Sequence, residues 1–279
     1  MNKSLIKNKL LLFIIFLIFY SIFYLYWKRN GGLNWSISEW LINYQGGFTR
    51  RGLGGELNIF LANLFSISLR DAIFFLQASL HTSYLILLFI YLKDLKLDIL
   101  QVFALFSPIF LLYPIAELEG IGRKEMLIFL FFTIVIFFSD KKFHSNLVNS
   151  IVFIFFPILC LIWEQIILFA PFFAVVLINK NKLSSFKETL FKLFLIFLPS
   201  IFVIIVIFVS PLSIEGHSIM CKYLLIEFSE RCYGSADLLI QNTIYFDTFY
   251  IHLERTNFIH YLRYIMVFLV GFLPLHLCL

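Results

Sequence analysis

Leu10-Leu11-Leu12-Phe13-Ile14-Ile15-Phe16-Leu17-Ile18-Phe19-Tyr20-Ser21-Ile22-Phe23-Tyr24-Leu25-Tyr26-Trp27 runs for eighteen residues without a charge. A membrane span needs about 20 predominantly apolar residues, with a range of roughly 17–25. In lipid every backbone N–H and C=O must be satisfied within the segment, so an open chain crosses as helix. Lys3, Lys7 and Lys9 precede the run, as in a secretory signal, but Tyr24-Leu25-Tyr26-Trp27-Lys28 offers no small-residue cleavage site. The stretch reads as an uncleaved first helix.

The same apolar character recurs at 72–92, 99–114, 126–138, 147–163, 166–178, 191–212 and 258–279, which makes eight candidate spans, two of them only thirteen residues long. Across all 279 residues 61% are hydrophobic, 14% are charged and mean hydropathy is +0.92. Soluble domains average about 45–50% apolar and about 25% charged, so there is too little polar surface for one. Disorder and a disulfide-dense secreted scaffold are excluded by the same figures. The expected fold is an all-α polytopic integral membrane protein: a single transmembrane domain over 1–279 with about eight transmembrane helices. It ends inside an apolar run with no polar tail, which reads as a truncated member of a longer architecture.

Orientation follows from Lys and Arg in the short loops. With the N-terminus cytoplasmic, segments 1–9, 93–98, 139–146 and 179–190, with Lys192, hold eleven of the 22 basic residues and four acids, a net +7. The opposite side holds eleven basic and thirteen acidic residues. The overall charge of +5 therefore marks a cytoplasmic membrane face, and nucleic acid is not a required partner. All eight arginines (Arg29, Arg50, Arg51, Arg70, Arg123, Arg231, Arg255, Arg263) fall on the outer side, while the inner side uses only lysine. Guanidinium is a planar fork suited to phosphate or carboxylate, where ammonium is a point charge. The arginines therefore suggest an anionic ligand, or else pairing with the outer acids.

Two extracytoplasmic loops are long, 28–71 and 213–257. In the first, Ser36-Ile37-Ser38-Glu39 has capping-box spacing and predicts a short helix through Trp40, Leu41 and Tyr44, ended by Gly46-Gly47. Phe48-Thr49-Arg50-Arg51-Gly52-Leu53-Gly54-Gly55-Glu56 follows, and then 57–69, which reads as an interfacial helix on the outer membrane surface. Glycines around two arginines suit a turn that offers N–H and guanidinium groups to an anion. The alternative is close packing of the glycines against helices. A second cluster, Glu117-Leu118-Glu119-Gly120-Ile121-Gly122-Arg123-Lys124-Glu125, puts five ionisable groups at a membrane boundary. Glu164 lies between two apolar runs, either at the tip of a helical hairpin or at depth within one helix. An intramembrane ionisable residue is a functional candidate by default.

Cys221 and Cys232 lie in the late outer loop and are expected to form a disulfide in an oxidising compartment. Cys160 and Cys278 lie in apolar runs as small hydrophobes. The six histidines are scattered without zinc spacing, so no metal is expected; His217 and His252 are the outer-loop acid–base candidates. Phosphate-loop, dinucleotide and nucleophile-elbow motifs are absent from the sequence, and no cofactor is implied.

Tyr44-Gln45-Gly46-Gly47-Phe48-Thr49-Arg50-Arg51-Gly52-Leu53-Gly54-Gly55 resembles the Y-x-G-G-F-x-R-R-G-L-x-G pattern of largely uncharacterised bacterial multi-pass proteins associated with surface-polysaccharide loci. Gly122-Arg123-Lys124-Glu125 resembles a second signature of that group, and Trp163-Glu164 a third, with Trp where His is expected. The long first outer loop with an acid is also similar to that of the C superfamily of lipid-linked-sugar glycosyltransferases and to O-antigen polymerase-like proteins. The resemblance implies a protein of the bacterial inner membrane that transfers or polymerises polyprenyl-phosphate-linked sugars at the extracytoplasmic face. Assembly with polysaccharide-export proteins is a further implication. On that reading Glu39, Glu56 or Glu164 takes the acceptor proton, and Arg50, Arg51, Arg123 and Lys124, with Tyr44, bind the phosphate-bearing substrate. The alternative is a transporter or flippase that binds an anionic lipid or glycan without chemistry.

Overall fold

A computed structural model describes residues 3–239 except 33, 94, 96–100, 103, 104, 107–110, 113–117, 142 and 182–185, and scattered positions from 258 to 269. The described residues are helical, with no strand among them. Helix α1 (Lys3–Arg29) carries the opening apolar run and ends on Lys28 and Arg29, where cations complement the exposed carbonyls. After it come α2 (Trp35–Leu41), α3 (Gly52–Phe65) and α4 (Leu69–Leu92). Then follow α5 (Glu125–Asp140), α6 (Ser145–Ile162), a 3-10 turn (Glu164–Phe169), α7 (Ala170–Asn181), α8 (Phe186–Val209) and α9 (Ile214–Phe228).

Among the described residues, five segments are long and apolar enough to cross a membrane: Lys7–Arg29, Leu69–Leu92, Ser145–Ile162, Glu164–Asn181 and Lys187–Val209. The expected span 126–138 lies within α5, a continuous helix of 16 residues. At 1.5 Å per residue α5 is about 24 Å long, short of a hydrocarbon core of about 30 Å. Candidate 99–114 lies largely outside the described residues, as does 258–279. Positions 240–257 of the late loop, with His252 and Arg255, lie outside them altogether.

Apolar clusters form among the described residues. Leu10, Ile14 and Leu17 of α1 pack against Leu85, Leu88 and Leu92 of α4. The buried positions on α4 recur at helical spacing: Leu85, Leu88 and Leu92 face α1, while Leu69, Ala72 and Ile73 join residues of α2, α3 and α5. Phe131, Phe156, Phe173 and Phe197 interleave α5, α6, α7 and α8, with ring centroids 5.1–5.4 Å apart across the Phe131–Phe173, Phe156–Phe173 and Phe156–Phe197 pairs. Pro157 and Pro199 sit inside α6 and α8. A third cluster binds the halves through Trp40, Ile59, Ile73, Leu127, Ile162 and Leu224.

The charges sort to two poles. At one, Lys180 donates to the carbonyls of Ser139 (2.6 Å) and Lys141 (2.9 Å). Asn149 and Asn181 exchange amide hydrogen bonds at 3.1 Å, and Lys192 donates to Asn181 at 2.8 Å. These bonds tie α5, α6, α7 and α8 together where their shared core ends. The arginines that make described ion pairs all lie at the other pole.

Candidate functional site

The arginine pole is assembled from short local devices. Helix α2 is capped by Asn34, whose Oδ1 accepts from the Ser36 N–H at 3.0 Å. The capping box expected from Ser36 and Glu39 therefore does not form. With Asn34 as cap, Ser36 falls inside the first turn and Glu39 one turn further on, free of any capping role. Helix α2 stops at Leu41, short of Tyr44, because Ile42 is extended (φ −62°, ψ 121°). Asn43 then bridges the Leu41 carbonyl and the Gln45 N–H, an Asx-type turn. Ser38 donates to the Trp35 carbonyl and receives the N–H of Ser235, which docks the late loop on α2.

Arg51 sits at the N-cap of α3 in the left-handed region (φ 66°, ψ 6°). Gly52, Gly54 and Gly55 lie within α3 and do not form the flexible turn expected of them. A Cβ on Gly55 would fall 2.0 Å from the Ile42 carbonyl oxygen, and one on Gly46 would fall 1.8 Å from the Gly216 carbonyl oxygen. These glycines let helix and turn approach neighbouring backbone, which was the alternative reading of the motif.

Glu164 follows directly on the extended Trp163 (φ −156°) that breaks α6 from the 3-10 turn. It is therefore at a hairpin tip, the first of its two possible placements. Arg51 clamps it: Nε donates to Oε1 and Oε2 at 3.0 and 2.8 Å, and Nη2 donates to Oε1 at 2.7 Å. Glu56 accepts from the Tyr44 N–H (2.8 Å) and from Gln45 Nε2 (3.1 Å), so it holds the 44–47 turn. Tyr44 stacks on Phe48 at 5.6 Å, and burial pushes its hydroxyl up to about 12.

Lys124 has no exposed surface. Its Nζ donates to the Arg51 carbonyl at 3.0 Å and lies 5.4 Å from the Trp40 ring. Burial, with Arg51 adding to it, lowers its ammonium to about 7 against the pull of Glu39, Glu164 and Glu125. Lys124, expected as a substrate-binding cation, braces the left-handed corner at Arg51. The preceding corner is fixed by the Gly122 carbonyl, which accepts from Trp40 Nε1 (2.8 Å) and Gln77 Nε2 (2.7 Å). Arg123 emerges from this corner 38% exposed, with Nη2 3.1 Å from Glu125 Oε1 and 3.5 Å from Glu39 Oε1.

Other arginines at this pole are engaged within the chain. Arg70 grips Glu230 through Nε (2.6 Å) and Nη2 (2.9 Å), and its Nη1 donates to the Arg29 and Gly32 carbonyls. Arg29 pairs with Asp71 and lies over the Tyr26 ring at 4.6 Å. Pairing with acids of the same pole, the plainer reading of the arginines, holds for Arg29, Arg51, Arg70 and Arg123. Arg50 is partly buried beside Arg51.

A disulfide joins Cys221 to Cys232, with Cα atoms 5.4 Å apart. His217 approaches both sulfurs closely enough to suggest a metal cluster, but the disulfide takes them up and leaves a single histidine ligand. The ring instead faces the Ala236 carbonyl at 3.1 Å and Asp237 at 3.9 Å. Glu125 joins this pole through Arg123, and its adjacency to Arg123 and Lys124 is the signal in the sequence. Gln77, inside an apolar run, offered a weaker one. No family model matches the chain, and none of the curated proteins or solved structures compared with it does so either.

Proposed function

We propose that this multi-pass protein transfers or polymerises polyprenyl-phosphate-linked sugars at its arginine pole. That pole faces outward from the bacterial cytoplasmic membrane, the N-terminus lies in the cytoplasm, and about eight helices span the bilayer. The observation that carries the reading is Arg123: a part-exposed guanidinium held by Glu125 at 3.1 Å and more loosely by Glu39 at 3.5 Å, beside a buried Lys124. Arg123 stays more exposed, at 38%, than the paired Arg29, Arg51 and Arg70. The disulfide at this pole suits an oxidising side, and the lysines at the other suit a cytoplasmic one. Helix α3 adds a stripe of exposed Leu57, Phe60 and Leu64 that fits an interfacial helix beside a lipid substrate.

In this scheme Arg123 neutralises the leaving phosphate as its charge develops, while a carboxylate beside it takes the acceptor proton. The test is photo-crosslinking of a diazirine-bearing polyprenyl phosphate to the full chain in native membranes. Hydrogen bonds to charged groups are worth about 1.5–3 kcal/mol, so Arg123→Gln should lower labelling about 10- to 100-fold at normal membrane abundance. Arg123→Lys keeps charge but loses the fork and should fall between. Unchanged labelling in Arg123→Gln would remove the phosphate-binding role. Transport without chemistry remains the rival, and would leave labelling intact with no glycan product formed.

A further inference from the structure

We infer that His217, Cys221 and Cys232 form a redox-gated zinc site, which takes up one Zn²⁺ when the disulfide is reduced and releases it when the disulfide reforms. The inference is independent of the transfer reading above. His217 and Cys221 stand four residues apart on α9, so one helix face presents both. Cys232 returns to that face after the helix closes on Ser229 in the left-handed region (φ 56°). The three ligand atoms all lie within 4.8 Å of one another, and the Cα atoms of the two cysteines are 5.4 Å apart.

The histidine is prepared as a ligand by its other neighbour. The Ala236 carbonyl, 3.1 Å from Nε2, can only accept, so Nε2 carries the proton and Nδ1 keeps its lone pair. A backbone carbonyl on the far nitrogen is a common outer partner of a metal-bound imidazole. Cys221 Sγ lies 3.7 Å from Nδ1 and 3.5 Å from Nε2. Tetrahedral zinc, with Zn–S of about 2.3 Å and Zn–N of about 2.0–2.1 Å, sets nitrogen and sulfur about 3.6 Å apart and two sulfurs about 3.8 Å apart. The His217–Cys221 pair already has that spacing, and only the Cys232 sulfur must swing away. Two thiolates and an imidazole are a soft set that suits zinc over magnesium or calcium. The fourth position falls to water, with the exposed Asp237 carboxylate 3.9 Å from Nε2 beside it.

The exchange needs a dithiol reductant, which supplies two electrons and two protons. The Cys221–Cys232 bond breaks to two thiols, and the reductant closes its own disulfide. Zn²⁺ then displaces both thiol protons to solvent and binds the two thiolate sulfurs and His217 Nδ1. In the reverse direction a disulfide acceptor takes the two electrons, its sulfurs take up two protons, the cysteine sulfurs rejoin and the zinc leaves as the hydrated ion. The segment after α9 is fastened in both states, by a covalent bond in one and by metal in the other. Ser235 of that segment donates its N–H to Ser38, so the clip also holds the late loop on α2.

The experiment uses the full chain in detergent, reduced by a phosphine without oxygen, freed of reductant, incubated with zinc chloride and desalted, with bound metal counted by mass spectrometry. The reduced parent should keep about one zinc per chain and the oxidised parent less than about a tenth of that. Against a chromophoric chelator, His217→Ala and Cys232→Ser should each weaken binding by more than the roughly 10- to 100-fold that loss of an outer partner costs. His144→Ala, an exposed histidine at the opposite pole, should match the parent. Oxidised glutathione added to the zinc-loaded parent should free one zinc for each disulfide formed. Equal zinc in the reduced and oxidised parent, unchanged affinity in His217→Ala, or zinc retained through reoxidation each overturns the site. Where the variants fail to fold, cobalt(II) in the reduced parent decides: thiolate charge-transfer absorption with tetrahedral visible bands supports the site, and their absence overturns it.

Discussion

Glu164→Gln asks whether the Arg51–Glu164 clamp holds the glycine motif onto the α6 hairpin tip. The two side chains are 18% and 13% exposed, and their shortest contact is 2.7 Å. An exposed ion pair is worth roughly 0–1 kcal/mol, and an amide in place of the carboxylate would then pass unnoticed. A buried pair behaves differently. Removing one partner strands the other charge in a poorly solvated place, at a cost of about 3–5 kcal/mol. Residual exposure on both sides puts this pair at the low end, about 3 kcal/mol. At about 2–4 °C per kcal/mol for a chain of this order of size, the melting temperature should fall by about 6–12 °C. Trp163 adjoins Glu164 and Trp40 adjoins Lys124, so intrinsic fluorescence of the detergent-solubilised chain reports the loss. Arg51→Gln should cost a similar amount. The double variant should cost less than the two single effects added, with a coupling of about 1.5 kcal/mol or more. Arg51→Gly loses the clamp but removes left-handed strain of order 1 kcal/mol, so it should melt above Arg51→Gln. Single variants within 2 °C of the parent, with additive effects, would refute the clamp.

Gly55→Ala forces a methyl to 2.0 Å from the Ile42 carbonyl oxygen. It should cost about 3 kcal/mol or more, whereas Gly31→Ala, whose nearest contact would be 3.5 Å, should melt like the parent in the same fluorescence assay. Lys124 gives a signed pH dependence. The folded chain sheds its proton near 7, while the unfolded chain keeps it until about 10.5. Between those values the unfolded state binds more protons, so stability from this group rises with pH. Melting temperature should climb from pH 7 to 9 in the parent and lose that slope in Lys124→Met. For topology, Gln45→Cys and Asn146→Cys occupy exposed positions at opposite poles. A membrane-impermeant maleimide applied to intact spheroplasts should label the first and not the second. Equal labelling, or the reverse, would overturn the orientation.

Apolar runs were legible because a bilayer imposes length and composition locally, and five of them stand as membrane-capable helices. What failed were the choices between near-equivalent local signals and everything set by distant contacts. Asn34 and Ser36 are both good caps; Asn34 wins, and Ser38 is left to take the Ser235 N–H from a segment 197 positions away. A glycine-rich string reads as a flexible turn until the Ile42 carbonyl is placed against it, and nothing near Gly55 in sequence announces that carbonyl. Arg51 and Glu164 are 113 positions apart, and Arg70 and Glu230 are 160 apart, so neither pairing has a local signature. The arginine clustering was legible as a concentration of guanidinium groups, but their pairing partners were not. Arg51 and Arg70 answer to carboxylates of their own chain, and a fork already filled has little left for phosphate. The informative residue is Arg123, which pairs with Glu125 at 3.1 Å and with Glu39 at only 3.5 Å and stays the most exposed of the paired arginines. Excess charge on a membrane face is therefore a sound pointer to a site only after the acids have been matched, and that matching is a property of the fold.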